Sequence, residues 1–188
     1  MLLTIPLASA VVPRNISQDF TGSARMCDPT TDPEGNFVPG ITKYVGPKGS
    51  EVNPNDANPD NRRDQISSGA IFFGVIDIDC LGVGTMKSES IHGVINQETG
   101  EGYGVFKWTW VFDNPTCKGT IEGIYKGEQK IAFPTMTIQG TAILCKGTGD
   151  LQNVKVEVTD YEADLPLMTF TSSGFSASLE GTVWGWDD

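Results

Sequence analysis

Residues able to do chemistry are few in this chain and widely spaced. His92 is the single histidine, and it stands in a strand-like segment beside Ser88, Glu89 and Ser90. Those are the ingredients of a serine–histidine–carboxylate relay, in which an imidazole takes the proton of an attacking hydroxyl. No Gly-x-Ser-x-Gly elbow accompanies them, and a lone strand histidine ordinarily serves packing, so no catalytic residue is assigned. A catalytic zinc centre needs three protein ligands. One histidine and four cysteines without a Cys-x-x-Cys pair do not supply them. Oxygen donors cluster in two stretches, with Asp28, Asp32 and Glu34 in the first and Asp56 and Asp60 in the second. Carboxylates suit calcium, although the EF-hand spacing is absent and turns of the Asp-Pro and Asn-Pro type explain the same residues. Calcium is the one cofactor these residues admit; none is required.

Tryptophans offer a different chemistry. Phe106, Trp108, Trp110 and Phe112 alternate along one face of a segment, and Trp184 and Trp186 close the chain. Trp108, Trp110, Trp184 and Trp186 are the candidate contacts for a carbohydrate or small apolar ligand, or for a second copy of the chain. The plainer reading of such a period-two stripe is the core face of a strand, which fits Phe106 and Trp108 best. Trp184 and Trp186 fall on the parity opposite Phe175, Leu179 and Val183. One set therefore faces inward and the other outward, and an outward tryptophan pair predicts a homo-oligomeric interface.

The elements that position these residues read as strands. Residues 16–26 form one strand-like run, and residues 27–65 a long acidic excursion dense in Asp-Pro, Asn-Pro and Gly-Pro turn signals. Strand-like segments then follow at 70–79, 83–96, 103–112, 117–126, 135–146, 151–159, 167–171 and 173–186, with a polar bend around 160–166. No segment has a helical period. About eight strands joined by short glycine-bearing turns predict a single antiparallel β-barrel of up-and-down hairpins, with a β-sandwich as the alternative. Glycines inside the strands favour the barrel, because a sheet coils most easily where side chains are missing.

The 188 residues fit one domain over 13–188. Residues 1–12 resemble the end of a secretory signal, an apolar run closing in Ala8-Ser9-Ala10, or else form a first strand. The first reading makes the protein exported, to the cell surface or beyond. In that setting an even number of cysteines predicts two disulfides. A hairpin reversing near Ile131 would set Cys117 opposite Cys145, leaving Cys27 for Cys80 by elimination. Asn15-Ile16-Ser17 is a glycosylation sequon at Asn15. A net charge of −11 excludes nucleic acid and anionic membranes as partners, since their affinity depends on basic side chains. No stretch reaches the ~20 apolar residues of a membrane-spanning helix.

The segment Gly140-Thr141-Ala142-Ile143-Leu144-Cys145-Lys146-Gly147-Thr148-Gly149-Asp150-Leu151 resembles a glycine-rich signature of the allene-oxide-cyclase-like barrels. Gly119-Thr120-Ile121-Glu122-Gly123 and Glu180-Gly181-Thr182-Val183-Trp184-Gly185 look like parts of the same pattern. The resemblance implies an eight-stranded antiparallel barrel. Founding members of that family isomerise a fatty-acid epoxide without a metal, and its relatives include dirigent proteins. The cyclase's active-site residues find no matching positions here. Three functions follow in order of weight: a non-enzymatic exported barrel acting in binding or assembly at the cell surface, a cyclase- or isomerase-like enzyme with an apolar substrate in the barrel, and a self-assembling structural subunit.

Overall fold

The computed structural model describes residues 16–28, 37–46, 51–52 and 64–186. Its strands are β1 (Ser17–Met26), β2 (Phe37–Val38), β3 (Ile41–Val45), β4 (Glu51–Val52), β5 (Asp64–Ser68), β6 (Ile71–Ile78), β7 (Gly82–Asn96), β8 (Glu101–Asp113), β9 (Lys118–Ala132), β10 (Thr135–Gly149), β11 (Lys155–Pro166) and β12 (Phe175–Trp184). One helical turn, α1 (Phe170–Ser173), precedes β12. Eight of the strands close antiparallel in the order β6-β1-β12-β11-β10-β9-β8-β7, and the pairing of β6 with β7 shuts the ring. The molecule is thus a barrel and not a sandwich. Among the described residues, no helix is long and apolar enough to cross a membrane.

Alternation sorts the barrel wall into an inner and an outer face. Phe106, Trp108, Trp110 and Phe112 of β8 are all buried inside, as are Ile138, Ala142 and Leu144 of β10 and Phe175, Ala177, Leu179 and Val183 of β12. Three interruptions keep the long strands in phase with their neighbours. The ladders skip Ile91 between Ser90 and His92, Cys145 between Leu144 and Lys146, and Thr159 between Val158 and Asp160. Each is a β-bulge, in which two consecutive residues share the outer face.

Several expectations change. The excursion at 27–65 is not one irregular loop, for β2, β3, β4 and the start of β5 lie within it. β2 pairs with β6, and β5 pairs with the upper part of β7 while β3 and β4 extend outward from it. Residues 160–166 continue β11 instead of bending, because Tyr161, Ala163 and Leu165 point into the core while the acidic residues between them face water. Residues 167–171 form a turn and part of α1, not a strand.

No cysteine pair is found among the described residues, and the predicted disulfides fail on register. The β9–β10 hairpin reverses after Ala132, beyond Ile131, and its ladder sets Gly119 opposite Gly149. Cys117 therefore lies past that end, buried, whereas Cys145 sits exposed on the bulge near the level of Glu122. At ~3.3 Å per residue they are roughly 17 Å apart along the strands, against the ~7 Å limit between α-carbons of a disulfide. Cys27 donates its backbone N–H to the Phe73 carbonyl at 2.7 Å, while Cys80 follows Ile78, the partner of Gly22. These two lie near opposite ends of one ladder, roughly 20 Å apart by the same measure.

The end of the barrel holding Cys80 and Cys117 is plugged by Leu81, Leu151, Val154 and Trp186, all buried. Asn114 fastens this plug. Its Nδ2 donates to the carbonyls of Leu81 (3.0 Å) and Val83 (2.8 Å), and its Oδ1 accepts from the N–H groups of Thr116 (2.8 Å) and Cys117 (2.9 Å).

Candidate functional site

The opposite end of the barrel is hollow. A cavity of about 350 Å³ opens between the β7–β8 hairpin, the β9–β10 hairpin and the segment following β11, near Ile95, Ile131 and Leu167. That volume is at the low end of ligand pockets. Its wall carries Phe72, Phe106, Trp108, Tyr125, Tyr161 and Phe175 together with Met26, Ile138 and Leu165.

Glycines make room for these rings. Gly93, Gly104, Gly127 and Gly140 are successive cross-strand partners on β7, β8, β9 and β10, forming a row at one level of the wall. Tyr125 lies over the gap, its hydroxyl pressed against Gly127 and Gly140; a β-carbon at Gly140 would come within 2.7 Å of it. Phe106 and the Gln129 amide cover Gly104 in the same way, with Gln129 Nε2 2.7 Å from where a β-carbon would stand. Aromatic cover of glycine is a known means of pinning a coiled sheet.

The floor is an aromatic stack. Trp108 and Tyr125 lie nearly parallel at 4.6 Å, and Tyr161 meets both edge-on at 5.1 and 5.2 Å. Trp108 Nε1 donates to Ser88 Oγ at 3.0 Å, which fixes the indole. The Tyr125 hydroxyl and Trp110 Nε1 are buried without a hydrogen-bond partner among the described residues. Burial drives the hydroxyl pKa of Tyr125 and of Tyr161 well above the usual tyrosine range, so both are neutral at any physiological pH. Ser90 and Gln129 are the remaining buried polar side chains of the wall, 5 % and 8 % exposed.

Of the four candidate tryptophans, the structure brings only Trp108 to the cavity. Trp110 is core, fully buried beneath Trp108. Trp184 and Trp186 do not share a face. Trp184 is on the outer surface beside Cys145, Lys146 and Lys155, but Gly185 takes a φ of 75°, a conformation glycine adopts without strain, and turns Trp186 into the plug. The outward pair that predicted an interface is therefore a single residue.

His92 is also outside. It follows the bulge, pairs with Val105 and packs on Tyr103 at 5.9 Å between ring centres, whereas Ser88 and Ser90 point inward. A relay between them is sterically broken. Asp28 is buried beside Arg25, with which it forms an ion pair. Asp32, Glu34, Asp56, Asp60, Asn15 and residues 1–12 lie outside the described residues. Among the described residues, no group of three or more His, Cys, Asp or Glu side chains is placed to hold a metal ion.

No family model and no curated protein matches the chain. Among solved structures it is similar to a pterocarpan synthase dirigent protein, at 12 % identity over 99 % of this chain and 98 % of that one, with a TM-score of 0.45. That likeness is too low to assign a fold or a function, and the barrel stands on the strand pairings alone.

Proposed function

We propose that this protein is an exported barrel that binds a small, predominantly apolar molecule in the open half of its interior. One observation carries the reading: an aromatic-walled cavity of about 350 Å³ with a few inward polar groups, held in a barrel whose other end is sealed. Such a combination of apolar wall and sparse polar groups is what small-molecule sites share.

Binding is favoured over catalysis by the character of those groups. Acid–base chemistry needs a side chain that titrates near the working pH. The wall supplies serines, glutamines and two tyrosines whose protons burial holds more tightly still. Export rests on the N-terminal apolar run, and the glycine-and-turn pattern supports kinship with the allene-oxide-cyclase-like barrels without their chemistry.

Titration with 1-aminoanthracene, an uncharged dye that brightens in apolar surroundings, tests the proposal. Saturable enhancement in the micromolar range, roughly −8 kcal/mol, is expected. Ser90→Trp and Met136→Trp, each placing an indole in the cavity, should abolish it while leaving the circular dichroism spectrum unchanged. Dye binding that survives both substitutions would place the site elsewhere and refute the reading.

A further inference from the structure

We infer that the cavity selects an uncharged, largely apolar molecule bearing a carbonyl or hydroxyl oxygen, for which the Gln129 amide and the Ser90 hydroxyl are the hydrogen-bonding groups. The inference rests on the cavity being the binding site, and it adds the class of ligand.

Among the described residues, the lining contains no charged side chain. A carboxylate entering it would leave water for a wall with no cation, and burying an unpaired ion is among the costliest transfers in proteins. The chain's net charge of −11 opposes an anion further. A cation fares little better. Ring faces attract cations, but Trp108 and Tyr125 turn faces on each other, Tyr161 meets both edge-on, and the lining holds no anion to pair with a buried cation. What remains is a neutral molecule that packs on ring edges and aliphatic side chains.

Gln65 and Ser67 line the cavity only half-buried, and the deeply buried polar groups set its chemistry. Ser88 is committed to Trp108. Ser90 and Gln129, more than nine-tenths buried, make no side-chain hydrogen bond to any described residue, and both line the cavity. They flank β8, Ser90 standing across from Phe106 on one side and Gln129 across from Gly102 on the other. Bare Gly104 lets the Gln129 amide lie along the wall beside the Phe106 ring. A primary amide and a hydroxyl both donate and accept, so each can satisfy a ligand carbonyl or alcohol. An occupant without such an oxygen leaves two buried polar groups unmatched, which sites of this kind discriminate against.

The test displaces bound 1-aminoanthracene at pH 7 with one ring system in four forms: naphthalene, 2-naphthaldehyde, 2-naphthoate and trimethyl(2-naphthyl)ammonium. The aldehyde should compete about tenfold better than naphthalene, the worth of one buried hydrogen bond. Both ions should compete at least about tenfold more weakly than naphthalene. Gln129→Leu should erase the aldehyde's advantage and leave naphthalene within about twofold of its wild-type value. Ser90→Ala should reduce the same advantage and serves if the leucine variant does not fold. An ion that competes as well as the aldehyde, or an aldehyde preference that survives both substitutions, overturns the inference while the binding site stands. Failure of the dye itself to bind removes the site and the inference with it.

Discussion

Replacing Tyr125 with phenylalanine should stabilise this protein, although it deletes a polar atom from a packed core. The Tyr125 ring is 1 % exposed, and its hydroxyl has no hydrogen-bond partner among the described residues. A buried donor left unmatched costs ~1–3 kcal/mol. Removing the oxygen leaves a gap smaller than a methyl group over Gly127 and Gly140, for a loss under about 1 kcal/mol. The balance is a gain of ~1 kcal/mol, seen as a rise of about 2–4 °C in Tm for a chain of this size. Urea unfolding should show a higher midpoint with an unchanged slope. A second arm isolates the geometry. Gly127→Ala drives a methyl group onto that hydroxyl and should cost ~1–3 kcal/mol by overpacking. Part of the overlap is with the Gln139 carbonyl, 2.6 Å from the new carbon, so Tyr125→Phe should recover only part of the loss. A coupling of ~0.5–1.5 kcal/mol is expected in the double-mutant cycle. A loss of more than about 1 kcal/mol in Tyr125→Phe alone would show that the hydroxyl has a partner and refute the reasoning.

Ser88→Ala should act in the opposite sense, costing ~1–3 kcal/mol in urea unfolding because Trp108 Nε1 loses its acceptor; a neutral outcome would contradict the assigned bond. With Ellman's reagent, exposed Cys145 alone should react in the native protein, and Cys27, Cys80 and Cys117 only on unfolding. Burial pushes the Cys27 thiol up to about 12 and the Cys117 thiol up to about 11, further slowing their reaction. Fewer than four thiols in the denatured, unreduced protein would restore the disulfide reading. The stability carried by the buried thiols and tyrosines should hold steady below about pH 9 and fall above it. The unfolded cysteines and tyrosines ionise from about 9.0 and 10.0, while the raised folded values of Cys27, Cys117, Tyr125 and Tyr161 retain their protons. Tyrosinate absorbance from all four tyrosines alongside a native circular dichroism spectrum would contradict this.

The barrel could be read from the chain because its inner face is written in large apolar residues at period two, most plainly from Phe106 to Phe112. Its glycines likewise announced turns and a strongly coiled sheet. Quantities that depend on register could not be read. The disulfide expectation needed the reversal point of one hairpin, and a shift of about two residues, with a bulge at Cys145, moved Cys117 well away from its supposed partner. β11 hides in the sequence because Asp160, Glu162 and Asp164 look like a loop until Tyr161, Ala163 and Leu165 are seen to face inward. The cavity was hidden for a similar reason. Ser90 and Gln129 are residue types found mostly at surfaces, and only the inner-face parity of β7 and β9 places them inside.

The bulge at Ile91 bears on how this chain tolerates shortening. Inward residues of β7 are even-numbered as far as Ser90 and odd-numbered from Gly93 onward, with Ile91 and His92 side by side on the outer face. A chain that lost Ile91 or His92 would regain plain alternation, and every other side chain of β7 would keep its facing. Loss of one residue elsewhere in the strand would instead invert everything between the gap and the bulge, or between the gap and the strand end. The irregular position is thus the one place where β7 can give up a residue and keep its cavity lining.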